Sequence, residues 1–185
     1  IAKPLHSLGK LETLLIQIAG ITGNAEVDLS RRGLIAMCAD NGVVEEGVTQ
    51  TGQEVTAIVA ENFLKYDTSV GVMCKQNHAE IFPVDMGMVT DTKVRTDHKI
   101  AYGTQNMTKG PAMTREQAVK GLEAGIDMVR ELNDKGYRIL ATGEMGIGNT
   151  TTSSAVASVL LKQPVEEMTG RGAGLTSEGL VRKIN

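Results

Sequence analysis

Between Gly143 and Thr152 the chain reads Gly-Glu-Met-Gly-Ile-Gly-Asn-Thr-Thr-Thr, and its chemistry concentrates there. Gly146 and Gly148 let the backbone come close to a ligand. The Asn-Thr run after them opens a helix whose first N–H groups have no partner inside that helix. Asn149 and Thr150 can cap it or donate directly, so the turn suits an anion such as phosphate. The same pattern also serves as a plain tight turn, and shape alone leaves both readings open. It is not a Walker A loop, because no Gly-Lys-Ser/Thr follows, and its glycine spacing is not that of GxGxxG. Glu144 repels a phosphate unless it faces a hydroxyl, a cation or a positively charged ring. A nucleotide brings ribose hydroxyls beside its phosphate and meets that condition.

A second glycine-rich turn, Gly170-Arg-Gly-Ala-Gly174, precedes another helical pattern, with Lys183 two to three turns further on. Alone it reads as a loop and a solvated lysine. Beside the first turn it supplies the further donors and the cation that a phosphate monoester takes. Asp40, Glu45 and Glu46 follow an apolar run. They read as an acid–base or metal cluster or, in preference, as part of an ordinary Asp-Asn-Gly turn. Thr51 and Gln53 read as helix-capping residues and Met145 as packing. Cys38 and Cys74 lie in apolar stretches without a CxxC spacing and read as buried reduced thiols. His6, His78 and His98 stand apart from ligand-spaced carboxylates, so no metal site is expected. No Ser/His/Asp or Cys/His constellation is present.

The elements that must position these turns follow from periodicity. Helical spacing covers 7–20, with Ser7 as cap and Gly20 as stop, then 51–67, 70–75, 150–161 and 176–184. Thr114 and Gln117 form a capping box for a helix running to about Lys135, closed by Gly136. Short apolar runs at 33–40, 79–87 and 137–143 read as buried parallel strands. Residues 90–112 read as a long, Gly-punctuated loop of the kind that is usually functional. Strands alternating with helices specify an α/β fold, a Rossmann-like parallel sheet with helices on both faces, whose ligands sit beyond the carboxyl ends of the strands. Residues 1–30 read as an N-terminal helical segment and 31–185 as an α/β nucleotide-binding domain. That domain is expected to be incomplete at the C-terminus, because Asn185 falls within the last helical pattern.

Composition narrows the class. The 185 residues are 41% hydrophobic and 22% charged, enough for a packed core. Only 3% are aromatic and the formal net charge is −3, which removes both the stacking platforms and the basic footprint of a nucleic-acid binder. No apolar run is long enough to span a bilayer, and no signal peptide is visible, so a cytoplasmic protein is expected.

Five motifs, Lys3–Glu12, Ala39–Gly47, Tyr102–Met107, Gly110–Thr114 and Gly143–Thr151, run in this order through almost the whole chain. Together they closely resemble the nicotinate-nucleotide–dimethylbenzimidazole phosphoribosyltransferase family of cobalamin assembly. The resemblance implies transfer of the phosphoribosyl group of nicotinate mononucleotide to a benzimidazole nitrogen by a homodimer that uses no organic cofactor and no metal. It places phosphate and nucleotide binding on Gly146, Ile147, Gly148, Asn149 and Thr150, and on Gly172, Ala173, Gly174 and Lys183. Glu144 takes a supporting catalytic place, and the main base is a Glu beyond Asn185. Asp40, Thr51, Val59 and Met145 fall in the acceptor pocket. Relatives usually carry His where this chain has Asn41, a Pro-containing turn at Thr51-Gly52 and Gln at Val59. The resulting pocket is more apolar, and a related benzimidazole, adenine or a phenolic acceptor enters consideration. The alternatives are another nucleotide-dependent enzyme on the same cradle, or a non-catalytic nicotinate-mononucleotide-binding subunit.

Overall fold

The computed structural model describes residues 3–185. Three short apolar segments, β1 (Arg32–Ala39), β2 (Ala79–Gly87) and β3 (Ile139–Met145), form one parallel sheet in the order β2-β1-β3. The first strand is therefore central and is buried on both faces, which is why it reads as a continuous apolar run. Ala36 and Cys38 pack with Ala60 and Phe63 of α2 (Glu54–Lys65) and with Met88 and Val94. Ile35 points the other way, into a cluster with Val84, Tyr137 and the residues Met128 and Leu132 of α4 (Arg115–Asp134). α3 (Ser69–Gln76) lies beside α2 on the first face, against β2. The expected α/β sheet with helices on both faces is present.

Several boundaries differ from the sequence reading. The first helix, α1, is Lys10–Thr22, with Gly9 and not Ser7 at its N-cap, and it runs through Gly20 to a left-handed Gly23 (φ 65°). Ser7 is already engaged in a turn, its N–H donating to the Pro4 carbonyl. None of α1 is buried, so the leucine stripe that marks it faces outward. α2 begins at Glu54 because Thr49–Gly52 forms a bend closed by Thr49 Oγ1 donating to the Thr51 carbonyl at 2.7 Å. β3 starts two residues late because Tyr137 closes α4 instead, its N–H donating to the Leu132 carbonyl while its ring enters the core. The capping box of α4 forms as expected: Thr114 Oγ1 accepts the Gln117 N–H and Gln117 Oε1 accepts the Thr114 N–H. α5 (Asn149–Leu161) and α7 (Ser177–Ile184) lie where periodicity placed them. The single turn α6 (Val165–Met168) after Pro164 had no periodic signal.

The segment from Thr90 to Ala112 contains no helix or strand, as expected, but it is a fastened strap. The Asp85 N–H donates to the Arg95 carbonyl and the Ile100 N–H to the Met86 carbonyl, so the strap runs along the outer edge of β2. Val94 plugs into the core, and Arg95 bridges to Glu131 on α4 at 2.6 Å. Lys99 Nζ stands 3.0 Å from Oδ2 of the fully buried Asp85 and 3.8 Å above the Tyr102 ring. Desolvation pulls the Lys99 pKa down, but its hydrogen bond and charge contact with Asp85 outweigh that and leave it raised.

Removing one partner of a buried pair strands the other charge. Lys99→Met should therefore lower unfolding stability by about 3–5 kcal/mol, read from the denaturant midpoint. Adding Asp85→Asn to it should recover part of the loss.

Candidate functional site

All three strands end at one edge of the sheet, and the functional residues gather between the exits of β1 and β3. At the β1 exit Asp40 is buried, with its N–H on the Gly87 carbonyl and its carbonyl accepting the Thr104 N–H. Its Oδ2 accepts the Val89 N–H at 2.8 Å. The carboxylate thus ties β1 to the end of β2 and to the strap. Glu45 pairs with Lys109 at 2.8 Å, and Glu46 accepts from Asn106 Nδ2 at 2.6 Å. Glu45 and Glu46 thus share Asn106 and Lys109 while Asp40 points to the Val89 amide, and among the described residues the three carboxylates form no metal-holding group. Cys38, behind them, is held neutral: burial, then the Asp85 and Glu144 charges, push its thiol up to about 12.

Past Met145, β3 turns through Gly146-Ile147-Gly148 into α5. Both glycines are dictated by the surroundings. A Cβ on Gly146 would lie 2.3 Å from the Ala39 carbonyl oxygen, and one on Gly148, whose φ is +91°, would lie 2.9 Å from Val44 Cγ2. Ile147, Asn149 and Thr151 donate their N–H groups to Thr56 Oγ1 and to the Gly146 and Gly148 carbonyls. The N–H groups of Gly148 and Thr150 have no protein acceptor among the described residues. Two donors at a helix N-terminus are thereby left for an anion. Thr176 caps α7 by accepting the Gly179 N–H, and the second turn, Gly170–Gly174, lies against the first. Gly172 (φ +56°) sits so close that a Cβ would come within 2.7 Å of Thr150 Oγ1, while the Gly174 carbonyl is held by Gln50 Nε2.

Lys183 joins the two turns. It is buried, and Nζ donates to Thr150 Oγ1 at 2.8 Å and to the Gly170 carbonyl at 3.1 Å. It pairs with no carboxylate among the described residues, and desolvation pulls its pKa down. Glu144 stands at the strand exit with its carboxylate accepting from Asn149 Nδ2. Partial desolvation pushes its pKa up, against the Asn149 bond, which favours the charged form.

Thr51, Met145, Gly146 to Thr150, Gly172 and Ala173 line one cavity of about 160 Å³, together with Gln50 and Arg171. Lys183 instead lines an adjacent cavity of about 410 Å³ with Val43, Glu46, Thr151 and Ser154, and reaches the first through Thr150. Val59 packs against the α2 core cluster and Asp40 lies behind the turn, so neither faces the smaller cavity. Sequence reasoning missed Gln50, Thr56 and Asn106, and read Asn41 as part of an Asp-Asn-Gly turn and as a departure from the usual His. Gln50, Thr56 and Asn41 serve distant backbone groups and Asn106 a distant carboxylate, partners that no local spacing reveals.

A family model described as phosphoribosyltransferase matches residues 1–185. A protein of Ruminiclostridium cellulolyticum named nicotinate-nucleotide–dimethylbenzimidazole phosphoribosyltransferase is 50% identical over 100% of this chain and 53% of its own length. One of the same name from Clostridium tetani is 47% identical over 99% of this chain and 51% of its own. The crystal structure of CobT from Thermus thermophilus superposes with a TM-score of 0.88 at 37% identity, covering 100% of this chain and 56% of that one. The chain spans about half the length of the curated relatives it matches.

Steric demand at the turn gives a direct check. Gly146→Ala should cost about 1–3 kcal/mol as the backbone is forced off its path. Gly110→Ala, with open space around it, should stay within about 0.5 kcal/mol. Thermal unfolding of the two variants side by side separates a steric requirement from a general intolerance of alanine.

Proposed function

The chain belongs to the phosphoribosyltransferase family, and from that premise we propose that it carries the mononucleotide-binding part of a nicotinate-nucleotide–dimethylbenzimidazole phosphoribosyltransferase. In this reaction the bond from ribose C1 to the pyridine nitrogen breaks, and its electron pair leaves with nicotinate. The acceptor nitrogen forms the new bond from the opposite face, and the acceptor loses a proton to a base. The cationic pyridinium is already an activated leaving group. What the protein adds is position, a base and charge complementarity.

One observation carries the reading: two glycine turns and a buried lysine with no carboxylate partner among the described residues meet at Thr150, on the wall of a cavity. Its volume lies below the roughly 300–1,000 Å³ typical of whole-ligand sites, which suits the phosphate-bearing end of a mononucleotide. In this reading the Gly148 and Thr150 N–H groups hold the phosphate, and Gly172, Ala173 and Gly174 close over it. Lys183 supplies the cation, and its bond to Thr150 orients both. Glu144 faces the ribose hydroxyls or the charged ring, while the main base is a Glu beyond Asn185. Thr51 and Met145 border the acceptor, with Asp40 and Val59 supporting that wall from behind. The homodimer rests on the resemblance. The described residues contain no helix long and apolar enough to cross a membrane.

Calorimetric titration with nicotinate mononucleotide and with the phosphate-free riboside tests the reading. The mononucleotide should bind and the riboside should bind far more weakly, whereas equal affinities would remove the phosphate cradle. In an enzyme assay with 5,6-dimethylbenzimidazole, Lys183→Ala should raise KM for the mononucleotide much more than KM for the acceptor. Glu144→Gln should depress kcat, and an unchanged kcat would place Glu144 away from the reacting atoms. Because burial lowers the Lys183 pKa, the cation is lost at a lower pH than for an ordinary lysine, and mononucleotide affinity should fall as pH rises through that value. Lys183→Arg should flatten the fall, since guanidinium stays charged.

A further inference from the structure

We propose that Asn41 and Thr56 are positioning residues that set the direction of the Gly148 N–H by holding the two peptide planes around Ile147. The proposal deepens the phosphate-binding reading above and rests on it. Asn41 Nδ2 donates to the Ile147 carbonyl at 3.0 Å, and Thr56 Oγ1 accepts the Ile147 N–H at 3.1 Å. In a trans peptide the N–H points opposite to the C=O of the same plane. Drawing the Ile147 carbonyl onto Asn41 therefore turns the Gly148 N–H away from Asn41, and Gly148 lies on the cavity wall. Thr56 fixes the preceding plane in the same manner, which turns the Gly146 carbonyl to the Asn149 N–H that it accepts at 3.0 Å.

The anchor is needed because glycines flank Ile147, and glycine offers little steric resistance to a peptide flip. Asn41 is itself held: its carbonyl accepts from Gln53 Nε2 at 3.1 Å, and its Oδ1 accepts from Thr152 Oγ1 at 3.4 Å. It also sits directly beneath the turn, with Nδ2 3.0 Å from where a Gly146 Cβ would be and its own Cβ 3.3 Å from the Gly148 position. Thr56 is fully buried in α2, so its hydroxyl has no solvent to compete for it. Helices α2 and α5, the β1 exit and the turn are thus joined through four polar side chains, and Asn41 serves the nucleotide through the backbone without touching it.

The test combines binding with amide exchange on the full chain. Asn41→Asp keeps the shape, removes the donor and sets a carboxylate against the Ile147 carbonyl; Thr56→Val keeps the volume and removes the acceptor. Each should weaken nicotinate mononucleotide roughly five- to tenfold, the worth of one hydrogen bond, while Thr56→Ser stays within about twofold. In the wild type, saturating mononucleotide should slow exchange at the Gly148 amide, and Asn41→Asp should abolish that slowing. Without ligand, Thr56→Val should speed exchange at Ile147 at least about tenfold, with Ile35 in the central strand as the unchanged reference. A wild-type chain that does not bind the mononucleotide overturns the functional reading. Unchanged Ile147 exchange in Thr56→Val, or Asn41→Asp binding as the wild type does, overturns this inference.

Discussion

The structure depends on how backbone polar groups are satisfied at the carboxyl edge of a parallel sheet. There the strands stop pairing, and their last N–H and C=O groups must find partners or remain exposed at a cost. This chain meets the demand with buried and half-buried side chains. Asp40 accepts from Val89, Asp85 accepts the Met88 N–H, and Asn41 and Thr56 take the two peptides around Ile147. Beside them, the Gly148 and Thr150 N–H groups have no protein acceptor among the described residues, and free donors at a helix N-terminus suit an anion.

The two cations of the edge show how burial sorts similar residues into different tasks. Lys99 and Lys183 both enter the protein, yet Lys99 meets a buried carboxylate and Lys183 meets only a hydroxyl and a carbonyl. The Asp85 contact raises the pKa of the first, whereas desolvation alone lowers that of the second. A paired lysine is structural cement. A buried lysine with no counter-charge among the described residues keeps unmet electrostatic demand.

Much of this was legible in the sequence. The three apolar runs, the Thr114–Gln117 capping box and the Gly-rich turn are local signals, and local signals survive folding. The long segment from Thr90 to Ala112 was legible only as a loop, because its fastening through Arg95 and Lys99 depends on Glu131 and Asp85, which lie elsewhere along the chain. The outward stripe of α1 misleads in the opposite sense, since helical periodicity reports an apolar face but not what covers it. Asn41 and Thr56 escaped notice for a related reason. Asn after Asp is read as a turn and Thr in a helix as filler, and the return of β3, 106 positions after Asn41 and 91 after Thr56, gives both of them Ile147 as a partner.

The strand order carries a consequence for how the molecule is made. The first pairing joins Arg32 to Ala79, whereas the second joins Arg32 to Ile139, so the second closes more than twice as long a loop. Loop-closure entropy and the direction of synthesis both favour the β1–β2 pair, which can form while β3 is still unsynthesised. The phosphate-sized turn needs Ala39 and Asn41 from one end and Gly146 from the other, so it belongs to the last contact to assemble. A nascent chain would own most of its core before the turn between β3 and α5 could close against the end of β1.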